Sequence, residues 1–232
     1  MRSIKAVFTK QIKDMLKNPS VLIMYIVFPA VAFIMKMFVK IPDNELFSGN
    51  MFVTMMASIF AGMALITSAS SVIAEDIERG SLRFFVIAGV KPHQYLLGTG
   101  GALLLLGTVT SVVFALIGSF PLPDTMKFLT VMITGVAASV LLGMTIGLFA
   151  KNSQAAGGLS MPAAVLVGFT PMIANFNETI EKVAGVLYTQ QINVIVNDFS
   201  AGLMKPLLII AANITVLTVL FVFAYGKKGL KG

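Results

Sequence analysis

Apolar and polar positions fall in long blocks along this chain rather than alternating residue by residue. Apolar runs of roughly twenty residues cover positions 20–39, 51–73, 95–119, 126–150, 157–174 and 206–225. A helix rises about 1.5 Å per residue, so each run is long enough to cross roughly 30 Å of hydrocarbon. The pattern predicts an all-α membrane protein with six transmembrane helices and a single transmembrane domain over residues 1–232. Pro29 predicts a kink in the first run, and Pro121 with Pro123 closes the third. Pro162, Gly168 and Pro171 predict that the fifth run is irregular, because an internal proline removes a backbone hydrogen bond.

The intervals between the runs carry their own patterns. In residues 1–19, Ile4, Phe8, Ile12, Met15 and Leu16 recur at spacings of three and four, while Arg2, Lys5, Lys10, Lys13 and Lys17 take other positions. That predicts an amphipathic helix lying in the headgroup plane with its apolar face down, ended by Asn18 and Pro19. Residues 40–50 read as a short polar loop and 151–154 as a turn. Residues 175–204 mix polar and apolar patches and predict two short re-entrant or interfacial helices, with Gln190 and Gln191 between them. Within the second run, Thr67, Ser68, Ser70 and Ser71 predict close helix packing, as does the pair Gly143 and Gly147 in the fourth.

The interval at 74–92 is different. It holds six charges (Glu75, Asp76, Glu78, Arg79, Arg83 and Lys91) and also Leu82, Phe84, Phe85, Val86 and Ile87. A solvated loop has little use for so many large apolar residues. Two readings fit: a short helix that docks on another protein, or a loop that rests its aromatics among lipid headgroups.

Composition strengthens the membrane reading. The chain is 57% hydrophobic and 12% charged, with mean hydropathy +0.91, against roughly 25% charged residues in a soluble domain. It has no cysteine, which removes disulfides and thiolate metal sites. The first run lacks a small-residue cleavage signal after it and is expected to remain as an uncleaved span. The net charge of +7 is distributed by topology and does not point to nucleic acid. With the N-terminus inside, twelve basic and four acidic residues lie on that side, against five basic and six acidic opposite. Both termini and the 74–92 interval are therefore expected to face the cytoplasm.

Catalytic chemistry is not legible. There is no Gly-x-x-x-x-Gly-Lys-Ser/Thr phosphate loop, and His93 has no metal-ligand companion at helical spacing. Lys36 sits near the outer end of the first run, where it is expected to snorkel, and Lys127 is the second residue of the fourth; otherwise the six runs contain no Asp, Glu, Lys, Arg or His. Ion-coupled carriers need such a residue at depth. Either energy comes from elsewhere or the protein is passive.

Taken together, the order of elements resembles the membrane (permease) subunit of bacterial type-2 ABC exporters. The resemblance rests on Glu75-Asp76-Ile77-Glu78-Arg79 followed by Gly80-Ser81-Leu82, an apolar stretch over Arg83–Ala88, and a turn at Gly89-Val90-Lys91-Pro92. Ser81 stands where that family usually has threonine, and Gln191-Ile192-Asn193 stands in place of its asparagine-proline motif. The resemblance implies a coupling helix between spans two and three that docks an ATPase through Glu75, Glu78, Arg79, Ser81, Leu82, Arg83, Phe84, Phe85 and Ile87. It also implies two separate cytoplasmic ATPase subunits holding ATP and Mg, a second membrane subunit, and a cargo path lined mainly by spans two and five. The chain is then a small half-transporter in the bacterial cytoplasmic (inner) membrane, is not itself an enzyme, and exports a hydrophobic or amphipathic cargo. An ATP-independent channel or carrier, and a scaffold docking a cytoplasmic partner, are the alternatives.

Overall fold

A computed structural model describes residues 2–39, 50–174 and 176–229, so the predicted loop at 40–50 lies outside the described residues except for Asn50. Every regular element among them is helical, and six helices are long and apolar enough to cross a membrane. The N-terminal helix α1 (Arg2–Lys17) is separated by Asn18 alone from α2 (Pro19–Phe38), the first span. Pro19 thus opens the second helix, in the first turn where its missing N–H costs nothing, and Asn18 Oδ1 caps it by accepting from Ser20 N at 3.1 Å.

α1 does not rest its predicted apolar face on lipid alone. Val7, Gln11 and Met15 are buried, Ile4, Phe8 and Ile12 are half-buried, and Leu16 is exposed. The burying surface is protein: a π-helical turn at Leu96–Gly100, near the start of the third span. Gly98 makes the seat, since a Cβ there would come within 2.6 Å of Val7 Cγ1.

The second span is the axis of the bundle. It comprises α3 (Met51–Ile59), a π-helical turn at Phe60–Ala64 and α4 (Leu65–Glu78), so the helix runs five residues past the predicted end at 73. No residue between 51 and 77 is exposed. A cargo path lined by this span is therefore not open in the single chain. Glycines allow the close approach. A Cβ on Gly143 would lie 2.3 Å from Ile66 O, one on Gly147 2.5 Å from Ser70 O, and one on Gly62 2.4 Å from Gly168 Cα. The glycine pair at 143 and 147 packs as expected, and Gly168 is a contact point rather than a break. Thr67 and Ser70 turn into the same packed interior, with Thr67 donating back to Met63 O at 2.9 Å.

After α4 come the short α5 (Ser81–Ile87) and α6 (Pro92–Tyr95), then α7 (Gly101–Gly118), which completes the third span. α8 (Leu122–Gly147) begins four residues before the predicted start of the fourth span, with Pro123 accommodated in its first turn. Lys36 does not snorkel outward. Its Nζ donates to Ile117 O at 2.6 Å and Gly118 O at 3.2 Å, closing the C-terminal end of α7.

The fifth span, α9 (Ser153–Ala174), is one helix and not the irregular segment its prolines predict. The reason is local. Pro171 leaves Val167 O without its usual amide donor, and the Thr189 hydroxyl donates to that carbonyl at 2.7 Å. Thr189 belongs to α11 (Tyr188–Asn197), which follows α10 (Glu178–Ala184). Two short helices are present as predicted, but the break falls at 185–187 and Gln190 with Gln191 sits inside the second. α12 (Met204–Gly229) completes the bundle against α8 and α11.

Candidate docking face and its charged hub

α5 is a one-sided helix held at the end of the bundle that also carries α1. Gly80 and Gly89 bracket it with φ of +70° and +77°, a left-handed backbone that residues with a Cβ seldom adopt, so the chain turns sharply at both ends. Of the four apolar anchors expected from sequence, two turn inward. Leu82 is 8% exposed, and Phe85 packs on Tyr95 with ring centroids 6.0 Å apart. The other two face out: Phe84 is 68% exposed and Ile87 76%. Arg83 and Lys91 are exposed beside them. The outward apolar surface is thus narrower than the sequence pattern suggests, because a seven-residue helix needs one face to hold it to the body.

The charged residues ahead of α5 anchor its base. Glu75 Oε1 lies 2.5 Å from Arg79 Nη2, and its Oε2 accepts from Asn18 Nδ2 at 3.3 Å. Glu78 Oε2 accepts from Ser153 N at 3.1 Å, placing a carboxylate at the N-terminus of α9. Ser81 is half-buried at the start of α5, and Arg79 is exposed at the rim. His93 is exposed as well.

The strongest feature of this face was not among the predicted site residues. Asp76 is 2% exposed and is the only fully buried charged residue among those described. It accepts from Gln11 Nε2 at 2.5 Å and from the Tyr95 hydroxyl at 2.7 Å, and it forms an ion pair with Lys10. Lys10 also pairs with Asp14 at 3.2 Å and lies 5.7 Å above the Phe85 ring centroid. A carboxylate buried without partners would be costly; here three donors from two other elements meet it. The sequence signal was present, since Asp76 continues the three- and four-residue spacing of Ile66, Ala69 and Ile73. It was hidden by ending the second span at 73.

From the exposed tip, contacts lead inward. Phe84 meets Phe85 at 6.3 Å, Phe85 meets Tyr95, Tyr95 meets Tyr225 at 5.7 Å, and Tyr225 meets Phe221 at 5.9 Å, all between ring centroids. α5 is therefore joined through aromatic packing to the third and sixth spans, through Asp76 to α1 and the second, and through Glu78 to the fifth. These contacts connect the α5 region with α1 and with four of the six spans, the second, third, fifth and sixth.

Comparison with curated proteins found no match. The sequence pattern of the family described as ABC-2 type transporter matches residues 2–188, from the beginning of α1 to the first residue of α11. That match covers the five leading spans and the whole of the α5 face, in agreement with six membrane-length helices. Partnership with ATPase subunits and a place in a lipid bilayer follow from the family. The chain is a transmembrane subunit of an ABC transporter and belongs to the ABC-2 type transporter family.

Proposed function

We propose that this chain is the permease of an ATP-driven exporter, with α5 as its coupling helix. Phe84 and Ile87, exposed on a helix whose opposite face is fixed, carry the reading. Two separate ATPase subunits hold ATP and Mg, so the chain itself is not an enzyme. Each docks the apolar pair in a groove, with Arg79, Arg83 and Lys91 at the rim setting register. Closure of the ATPases presses on α5, and the rigid connections through Asp76, Tyr95 and Glu78 carry that displacement into the spans.

The membrane unit is completed by a second permease, identical or homologous. The distribution of basic residues supports a bacterial inner-membrane location with both termini and α5 in the cytoplasm. Spans two and five, which would line the path, carry Met, Phe, Ser, Thr and Gly, a chemistry that suits a hydrophobic or amphipathic cargo such as a drug, antibiotic or membrane-active peptide moved outward.

Co-expression with the stand-alone ATPase subunit, purification and assay in lipid test this reading. Phe84→Asp with Ile87→Asp is expected to abolish retention of the ATPase while the permease still elutes as a folded species. Retention at the wild-type level with unchanged ATP hydrolysis would remove α5 from the docking role.

A further inference from the structure

At the end of the bundle opposite α5, the pair α10 and α11 and the start of α12 border an open groove of about 810 Å³. Gln190 is on its wall, is only 3% exposed, and keeps its Oε1 buried with no hydrogen-bond donor. Its neighbour Gln191 also borders the groove but is satisfied, donating Nε2 to Gly185 O at 2.6 Å. A buried amide oxygen without a donor is uncommon in a folded protein and marks a place where a partner group belongs.

The rest of the groove indicates what that partner is. Lys182 and Lys205 border it, and neither has a carboxylate within ion-pair distance among the described residues. Glu181 is the one acidic residue on the rim, which leaves a net charge of +1. Met204 lines the groove and is strongly exposed, as are Val183, Val186 and Leu208 at nearby positions in the sequence, and together they offer an apolar surface to acyl chains. Lysines near a bilayer surface attract anionic lipid, and the apolar surround sets the groove at the boundary where headgroups lie.

We infer that this groove binds an anionic phospholipid whose headgroup carries a hydroxyl, of the phosphatidylglycerol type. The phosphodiester sits between the Lys182 and Lys205 ammonium groups. With the Gln190 amide turned toward the groove, a glycerol hydroxyl donates to its Oε1, and the acyl chains follow the exposed apolar residues of α10 and α12. A single negative charge matches the rim, and the hydroxyl supplies the donor that phosphatidylcholine lacks. The inference is independent of the ATPase reading, because it concerns only the opposite end of the chain.

The test titrates the purified full chain in detergent with phosphatidylglycerol, phosphatidylethanolamine, phosphatidylcholine and the acyl-free headgroup glycerophosphoglycerol, counting bound molecules by native mass spectrometry. Phosphatidylglycerol is expected to bind about tenfold more tightly than phosphatidylcholine, as two surface lysines and one hydrogen bond allow. Lys182→Gln with Lys205→Gln, both exposed and tolerant of change, should remove that preference, and Gln190→Leu should weaken it several-fold. Lys151→Gln, at the far end, should leave it intact. Equal binding of phosphatidylglycerol and phosphatidylcholine, or an unchanged preference in the lysine pair, would overturn the site. Phosphatidylethanolamine binding as tightly as phosphatidylglycerol would overturn the charge match, and the free headgroup binding equally well would replace the lipid with a soluble phosphodiester.

Discussion

The Tyr95 hydroxyl donates to Asp76 Oδ2 at 2.7 Å, joining the first turn of the third span to the last turns of the second. The two residues flank α5 in sequence, so this one bond closes the base of the α5 loop. Lys10 and Gln11 reach the same carboxylate from α1. One buried charge thus fixes the relative positions of three elements at this end of the bundle.

Removing the charge of Lys10 should expose the cost of that arrangement. Lys10→Met leaves Asp76 buried without its counter-charge, an uncompensated state that typically costs about 3–5 kcal/mol. Since Lys10 is partly accessible, the loss should fall at the low end. Pairing it with Asp76→Asn should recover much of the stability while lowering ATPase coupling. Thermal unfolding of the two single variants and the double variant in detergent checks this, and a double variant no better than Lys10→Met would deny the pair its role.

The two faces of α5 should separate in mutagenesis. Leu82→Asp places a carboxylate in a packed position and is expected to reduce the yield of folded permease itself. Ile87→Asp, on the exposed face, should leave yield unchanged. Fluorescence-detected gel filtration of the permease without its ATPase distinguishes them.

Glycines that look alike in the sequence should behave oppositely. Gly143→Ala must push α8 from Ile66 O and should cost about 1–3 kcal/mol. Gly157→Ala meets no atom within 4 Å and should be neutral or slightly stabilising through helix propensity. Melting temperatures of the two variants in the same detergent give the comparison.

Thr189→Val should uncap Val167 O while keeping nearly the same side-chain volume. The expected loss is about 1–3 kcal/mol, that of a buried acceptor left without a donor, and Thr189→Ser should restore most of it. Faster hydrogen exchange near residues 167–171 in Thr189→Val would locate the effect; unchanged exchange would show that α9 does not depend on this bond.

Much of this protein was determined by the sequence alone. Six apolar runs of membrane length, the basic amphipathic start and the glycine-bracketed stretch at 80–89 can be read because the cost of exposing backbone and charge to hydrocarbon acts residue by residue. What the tertiary structure decided lies where two elements share one requirement. Sequence spacing could not show that Phe85 would be spent on Tyr95 and leave Phe84 outside, since either side of a short helix can be the one that holds it. Nor could it show that Pro171 would leave α9 intact, because the donor that satisfies Val167 O comes from Thr189, twenty-two positions on. Asp76 reads as one more charge in a polar loop until Lys10, Gln11 and Tyr95 converge on it, and only folding brings them together. Burial of a polar group is permitted by its partners, and partners distant in sequence are set by the fold.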